Sequence, residues 1–194
     1  MGLSVLVRIP LARSYLIAPV LDAGAEGVVF PCIQNRAEAE RAVALCRYPP
    51  KGVRGLSVHR HLAYKSTDLS AENIRADDQV VVALMIENKL GLDACADIAR
   101  VPGVDFLLEG AADLSAALDV SWETRHPSVL EAIASIDAIA GASKIAFCAI
   151  PRAKEDYVTW RTKGLSLFVL GTDRGVIRKG MKGHLSEFIS SEHQ

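Results

Sequence analysis

The chain has 194 residues, half of them hydrophobic, and is long enough to bury a core of ordinary domain size. Its 22 basic and 23 acidic residues nearly cancel and form no long run of one sign, so we expect neither a nucleic-acid nor a membrane partner. The longest apolar run, residues 80–86, is far shorter than the roughly 20 residues of a membrane span. Composition therefore predicts one globular domain over residues 1–194.

The four cysteines, Cys32, Cys46, Cys95 and Cys148, each stand inside an apolar pattern, and none belongs to a CxxC pair. This arrangement predicts buried, reduced thiols and a cytoplasmic protein. The first apolar stretch is interrupted by Arg8, which is unlike the core of a secretory signal.

Short apolar runs rich in β-branched residues mark the predicted strands. In chain order they cover residues 5–9, 27–31, 79–86, 104–108, 145–150 and 165–170. The run that ends at Ile86 is unbroken, as is typical of a parallel strand buried on both faces.

Segments of helical period separate these strands. Gly24 is the expected end of the first helix, and Asn35 is the expected N-cap of the second. Residues 51–78 read as a long polar connection with one helical turn near residues 70–74. A further helix is predicted over residues 153–163, and the other predicted helices carry these apolar stripes: Ile17, Val20 and Leu21; Ala39, Ala42, Val43 and Cys46; Leu90, Ala94, Ile98 and Val101; Val129, Ile133, Ile136 and Ala140; Ile177, Met181, Leu185 and Phe188.

Six strands that alternate with six helices predict an α/β fold with a parallel sheet. The turn after the first strand lacks the glycines of a dinucleotide-binding fold. Polar residues instead follow successive strands, where (β/α)₈ barrels place their chemistry: Arg8, Glu87, Glu109, Asp113 and Asp173. The pattern favours a barrel, although eight units typically need about 250 residues and only six are present.

Glu87 and Asp113 follow neighbouring predicted strands. Two carboxylates at one sheet edge, completed by substrate oxygens and water, suit Mg²⁺ or Mn²⁺. The guanidinium of Arg8 is suited to gripping a carboxylate. Structural roles are equally open: Glu87 can cap the helix that starts at Asn88, Asp113 can be the N-cap of residues 114–118, and Arg8 can pair with either acid.

Several stretches form a recognisable set. They are Val7-Arg8-Ile9-Pro10, residues 21–28, Arg47-Tyr48-Pro49-Pro50 with Gly52, Arg54 and Gly55, Ile86-Glu87, residues 101–105, and Gly110 with Ala112-Asp113-Leu114-Ser115. With them the chain resembles the HpcH/HpaI aldolases, metal-dependent pyruvate aldolases on a (β/α)₈ barrel. The resemblance covers nearly the whole chain but begins after the family's first two βα units.

The resemblance implies a carbon–carbon lyase that forms an enolate of pyruvate or a related 2-oxo acid, with an aldehyde or oxo acid as co-substrate. It implies that Glu87 and Asp113 hold Mg²⁺, Mn²⁺ or Co²⁺, and that Arg8 steadies the enolate. Gly110, Ala112, Asp113 and Ala149 would contact the substrate. It also implies a homo-oligomer.

The sequence departs from the family in several places. The acidic-histidine motif that supplies the family's general base is absent, Met85 replaces a glutamine, and residues 147–150 lack the family's glycine. His59 and His61 are candidate substitute bases, or part of a solvated basic loop. Glu109 is a third acidic ligand or, as we expect, an outward-facing surface residue.

Two further functions stay open. One is a citrate-forming condensing enzyme of siderophore biosynthesis, which resembles the same family. The other is a truncated, non-catalytic member that binds a metal or oxo acid, or that only assembles with partners.

Overall fold

The computed structural model describes residues 3–56 and 69–189. Two compact units divide the chain, Met1–Cys148 and Ala149–Gln194. No helix within the described ranges is long and apolar enough to cross a lipid bilayer.

The strands of the sheet follow one another in chain order, from the first to the sixth. Each of the first four pairs with the next in parallel register, with Arg8 opposite Val29 and Ile86 opposite Glu109. This sequential order is the predicted one, an incomplete barrel of (β/α)₈ type with six described strands. Their bounds are β1 Leu6–Arg8, β2 Gly27–Phe30, β3 Val81–Ile86, β4 Phe106–Glu109, β5 Ala146–Ala149 and β6 Leu167–Phe168.

Helices follow the strands as the periodicity predicts. A 3₁₀ helix, Leu11–Leu16, precedes the first of them. The α-helices are α1 Ile17–Asp22, α2 Arg36–Cys46, α3 Leu69–Gln79, α4 Lys89–Asp93, α5 Cys95–Ala99, α6 Ala111–Ala117, α7 Pro127–Ala142, α8 Lys154–Thr162 and α9 Asp173–Ile189. The side chain of Asn35 accepts a hydrogen bond from the amide of Glu38, so the predicted cap of α2 is confirmed.

Two helix predictions need correction. The single turn expected near residues 70–74 is the 11-residue helix α3, whose polar sequence hid its length. The stripe that starts at Leu90 is wrong in its first half, because Leu90 is 60% exposed and a break at Ala94 divides the segment into α4 and α5. Its second half is confirmed, since Ile98 and Val101 are buried. The inward face of α4 is instead the one that carries Gly91, because a Cβ atom at Gly91 would overlap the carbonyl oxygen of Ile33.

The core of the first unit lies against both faces of the central strands. Every residue of β4 is buried, as are five of the six residues of β3. The buried faces of α2 and α7 match the predicted stripes, since Ala39, Ala42, Val43 and Cys46 and then Val129, Ile133, Ile136 and Ala140 are all buried. Burial on both faces explains the unbroken apolar run of β3.

Arg47 and Tyr48 form hydrogen bonds near the amino-terminal ends of the strands, at the end of the sheet opposite to Glu87. The Arg47 guanidinium donates to the carbonyl oxygens of Val80 at 2.9 Å and Gly103 at 3.4 Å, just before β3 and β4. The amide of Tyr48 donates to the Asp77 carboxylate at 2.9 Å. These bonds give part of the motif a structural role far from the strand ends where chemistry is expected.

Arg54 forms a buried ion pair in the same region. Its guanidinium donates to Asp22 at 2.6 Å and lies 4.6 Å from the centre of the Tyr48 ring. The Arg54 side chain is fully buried, whereas 28% of the Asp22 side chain is exposed. Arg54 therefore depends on Asp22 to balance its charge.

The second unit contains β6, α8 and α9. The amide of Val169 donates to the carbonyl oxygen of Ala149 at 3.0 Å, and the rings of Tyr157 and Phe168 lie 5.0 Å apart. Helix α9 has no buried residue. All four residues of its predicted apolar stripe are more than half exposed: Ile177, Met181, Leu185 and Phe188.

Candidate active site at the carboxyl ends of the strands

Glu87 lies directly after β3 and is only 4% exposed. Its Oε1 atom accepts two hydrogen bonds from Cys32, from the backbone amide at 2.7 Å and from the thiol at 3.2 Å. The helix-cap alternative for Glu87 is wrong, because the side chain of Asn88 caps α4 by accepting from the amide of Gly91 at 2.8 Å. Glu87 is therefore a buried carboxylate held by the β2–α2 loop.

Gly110 packs against the other side of this carboxylate. A Cβ atom on Gly110 would overlap the Cβ atom of Glu87 and lie 2.7 Å from its Oε2 atom. The backbone of Gly110, with φ of −125°, is open to other residues, so contact with Glu87 and not chain conformation requires the glycine. The two oxygens of Glu87 thus differ: Oε1 faces Cys32 and Oε2 faces Gly110.

Asp113 lies in the first turn of α6 and is exposed. Gly110 is the N-cap of this helix, so the predicted N-cap role of Asp113 is wrong. The Ser115 hydroxyl donates to the carbonyl oxygen of Ala112 at 2.6 Å and accepts from the amide of Trp122 at 2.9 Å. These bonds order the turn and leave the Asp113 carboxylate facing solvent.

Glu109 corrects another expectation. We expected it to face outward, but it is fully buried at the end of β4. Its Oε2 atom accepts from the amide of Ala111 at 2.9 Å, so it satisfies a donor that the first turn of α6 leaves without a helical partner. Glutamate is mostly found at the protein surface, so the sequence alone predicts an exposed Glu109. The hydrogen bond from Ala111 that allows its burial is visible only in the structure.

Arg8 ends β1 and is exposed. Among the described residues it makes no ion pair with a carboxylate, so the structural pairing with Glu87 or Asp113 does not occur there. Its positive charge acts to lower the pKa of the Cys32 thiol. The positive charge is thus at the same strand ends as the two acids.

Cys32 is the functional neighbour that sequence reasoning missed. It is exposed, contrary to the prediction for all four cysteines, while Cys46, Cys95 and Cys148 are buried as predicted. Its backbone has the left-handed φ of 59°, which is uncommon without glycine. No signal in the sequence indicates that it contacts a residue 55 positions away.

The pKa of the Cys32 thiol depends on the charges of Arg8, Glu87 and Asp113. Although Cys32 as a residue is exposed, partial burial of its thiol raises the pKa to about 11, helped by the hydrogen bond to Glu87 and by the charges of Glu87 and Asp113. The charge of Arg8 acts in the opposite direction. Cys32 is therefore a protonated donor at neutral pH, within the fields of Arg8, Glu87 and Asp113.

Other predicted site residues are less informative. Ala149 is 1% exposed at the end of β5 and belongs to the second unit. Met85 is buried in β3. His59 and His61 lie outside the described residues. Within the described ranges, no three His, Cys, Asp or Glu side chains form a group that could hold a metal ion.

The family model of the HpcH/HpaI aldolase/citrate lyase family matches residues 1–179. The chain belongs to this family. Its members are metal-dependent aldolases and lyases, and this chain is accordingly an enzyme that makes or breaks carbon–carbon bonds, as predicted.

Relatives within the family agree with this assignment. The 5-keto-4-deoxy-D-glucarate aldolase of Escherichia fergusonii is 33% identical over 177 residues, which cover 90% of this chain and 68% of that protein. The citrate synthase SbnG is 35% identical, with a TM-score of 0.87 over 97% of this chain and 73% of that one. An HpcH/HpaI family protein from Burkholderia cenocepacia is 31% identical, with a TM-score of 0.86 over 94% of this chain and 72% of that one.

Proposed function

We propose that this family member catalyses aldol cleavage, or the reverse condensation, on pyruvate or a related 2-oxo acid, with Glu87 and Asp113 holding the divalent cation. The observation that carries the proposal is the orientation of Glu87. Both hydrogen bonds from Cys32 fall on Oε1, so Oε2 is the oxygen left for a cation beside Gly110.

The donor set fits the cation. Carboxylate oxygens are hard ligands, and Mg²⁺ or Mn²⁺ is commonly held by one or two carboxylates, with water and substrate at the other positions. Glu87 and Asp113 supply two such carboxylates, one buried directly after β3 and one exposed in the first turn of α6. Co²⁺ is a third candidate on the same oxygens. When bound, the cation supplies Lewis-acid polarisation of the substrate's keto group.

Arg8 is the proposed catalytic residue. Its guanidinium is exposed at the end of β1 and is not paired with a described carboxylate, so it is available to a substrate. Removal of a proton from pyruvate puts negative charge on the keto oxygen, and a fixed guanidinium stabilises that charge most as it develops. Arg8 therefore lowers the barrier to forming the enolate.

The turn from Gly110 to Asp113 is the proposed anchor of the substrate carboxylate. The amides of Ala112 and Asp113 lie in the first turn of α6, where helical partners are missing, and Gly110 gives room beside Glu87. Glu109 holds the start of this turn through Ala111.

Methyl-proton exchange tests the proposal. The full chain is incubated with pyruvate and Mn²⁺ or Mg²⁺ in deuterated water, and loss of the methyl proton signal is followed by NMR. We expect exchange that needs the cation and disappears in Glu87→Ala and Glu87→Gln. Cation binding without exchange would support the non-catalytic alternative. A protein that shows neither cation binding nor exchange would overturn the proposal.

The proton carrier and co-substrate are tested separately. His59→Gln and His61→Gln are expected to slow exchange if either imidazole is the base. A panel of aldehydes and oxo acids then identifies the co-substrate through pyruvate release from the matching aldol.

The likeness to SbnG favours citrate formation as the second candidate function. Citrate is the adduct of an acetyl unit with oxaloacetate, so both reactions add an enolate to a carbonyl group. Citrate production from oxaloacetate and an acetyl thioester, without methyl exchange in pyruvate, would favour this reaction over the aldolase.

We also propose that the chain forms a homo-oligomer. The apolar stripe of α9 exposes Met181, Leu185 and Phe188, and each is 57% exposed or more. Contiguous apolar surface of this kind is typical of an interface. Size-exclusion chromatography with light scattering is expected to give a mass of at least two chains, and a stable monomer would contradict this.

A further inference from the structure

We infer that Cys32 is a positioning residue for Glu87: it fixes the carboxylate so that Oε2, and not Oε1, meets the cation. The inference rests on the proposed function. Cys32 itself neither binds the cation nor touches the substrate in this account.

The hydrogen bonds determine which oxygen is available. A carboxylate oxygen has two lone-pair positions, and at Oε1 the amide and the thiol of Cys32 occupy both. Gly110 then limits movement on the opposite side, because its backbone lies against Glu87. A carboxylate held in this way has little freedom to lose when a cation binds.

The backbone supports the same role. Cys32 adopts a left-handed conformation that is unfavourable for a residue with a Cβ atom, and such outliers concentrate where local geometry serves a function. The next residue, Ile33, is fully buried, and its carbonyl oxygen lies against Gly91 of α4. The loop is therefore anchored beside Asn88 and Glu87, and it presents both Cys32 donors to one oxygen.

Two substitutions separate the thiol from the backbone. Cys32→Ala keeps the amide donor and the same backbone cost but removes the thiol, whereas Cys32→Ser restores a side-chain donor. Gln34→Ala is the matched control, because Gln34 is exposed on the same loop and bonds Glu38 through its backbone amide, which the substitution keeps. Each full-length protein is titrated with Mn²⁺, free Mn²⁺ is measured by electron paramagnetic resonance, and thermal unfolding is recorded.

We expect Cys32→Ala to weaken Mn²⁺ binding about fivefold, the usual effect of one lost hydrogen bond to a carboxylate. Cys32→Ser and Gln34→Ala are expected to stay within about twofold of the wild type, on the same basis. The melting temperature of Cys32→Ser and Gln34→Ala should not change, and that of Cys32→Ala should fall by at most a few degrees, because a single hydrogen bond is lost.

Three results would overturn the inference. Unchanged Mn²⁺ affinity in Cys32→Ala shows that the thiol does not position Glu87. Equal losses in the alanine and serine variants with a lower melting temperature show a merely structural role. If the Glu87→Gln variant binds Mn²⁺ as tightly as the wild type, Glu87 does not hold the cation, and both the proposed function and this inference fail. This result differs from the first two, which leave the cation site at Glu87 intact.

Discussion

Gly110 lies so close to Glu87 that a Cβ atom on the glycine would overlap the carboxylate side chain. Gly110→Ala should therefore push Glu87 out of position while leaving the backbone of Gly110 unstrained. We expect methyl-proton exchange to fall about 100-fold, because a small displacement of a catalytic group has a large effect on rate. Exchange followed by NMR measures the loss.

Gly141→Ala is the control for this substitution. Gly141 lies in α7 with nothing within 4 Å of a Cβ atom, so alanine there should raise helix stability by up to about 1 kcal/mol. Equal activity in the two alanine variants would contradict the proposed contact with Glu87.

Arg8→Ala removes the guanidinium at the end of β1. We expect the exchange rate to fall about 100-fold or more, since the charge acts on the keto oxygen as negative charge develops. Mn²⁺ affinity and the melting temperature should stay near wild-type values. Arg13→Ala is the matched control, because Arg13 bonds the Tyr15 hydroxyl at 3.0 Å on the surface. Similar activity losses in both variants would argue against a specific role for Arg8.

Glu109→Leu removes the acceptor for the amide of Ala111 inside a buried region. An unsatisfied buried donor costs about 1–3 kcal/mol, so the free energy of unfolding should fall by that amount. Glu109→Gln keeps an acceptor oxygen and should lose less. Urea denaturation measures both, and a leucine variant as stable as the wild type would show that the bond contributes nothing.

Asp22→Ala leaves the fully buried Arg54 side chain without its ionic partner. Loss of one member of a buried pair typically costs about 3–5 kcal/mol, and we expect the lower end because Asp22 is partly exposed. Asp78→Ala breaks the exposed pair with Lys51 and should cost at most about 1 kcal/mol. Chemical denaturation of the two variants checks the contrast, which would vanish if Asp22 were dispensable.

Two buried thiols should make the protein less stable in alkali. Burial raises the pKa of Cys46 and Cys95 from 9.0 to about 12. Above pH 9 the unfolded chain therefore holds fewer protons than the folded one, so the free energy of unfolding falls as pH rises. The slope is about 1.4 kcal/mol per pH unit for each thiol until the folded-state pKa is reached.

The double variant Cys46→Ala with Cys95→Ala isolates this effect, because every other group titrates as in the wild type. We expect its unfolding free energy to fall less between pH 8 and about pH 10.5. Urea denaturation at both values provides the measurement. Parallel pH profiles for the two proteins would show that the buried thiols ionise as readily as exposed ones.

Periodicity was enough to predict the alternation of strands and helices, because β3 and β4 are buried on both faces and the α2 and α7 stripes face the core. It failed for α3, where few apolar residues mark a helix. It also failed for Leu90, because the phase of α4 depends on a contact between Gly91 and Ile33 that is distant in sequence.

The strand-end position of Glu87, Asp113 and Arg8 was predictable, since parallel strands bring their carboxyl ends to one edge. The role of Cys32 was not, because it depends on a left-handed backbone and on bonds to Glu87 across the sheet. Glu109 was misjudged for a similar reason: a buried carboxylate needs hydrogen-bond donors, and the bond from the Ala111 amide is visible only in the structure.

The difference in exposure among the four cysteines has a practical consequence. Because Cys46, Cys95 and Cys148 are buried and Cys32 is exposed, a thiol-directed spin label or fluorophore should attach to the native protein at Cys32 alone, in a reaction that the raised pKa of this thiol makes slow at neutral pH and faster in alkali. A probe on Cys32 would lie next to the carboxylate of Glu87, to which the thiol is hydrogen-bonded. Paramagnetic broadening from added Mn²⁺ would then report distances at the strand ends directly in solution, without a crystal.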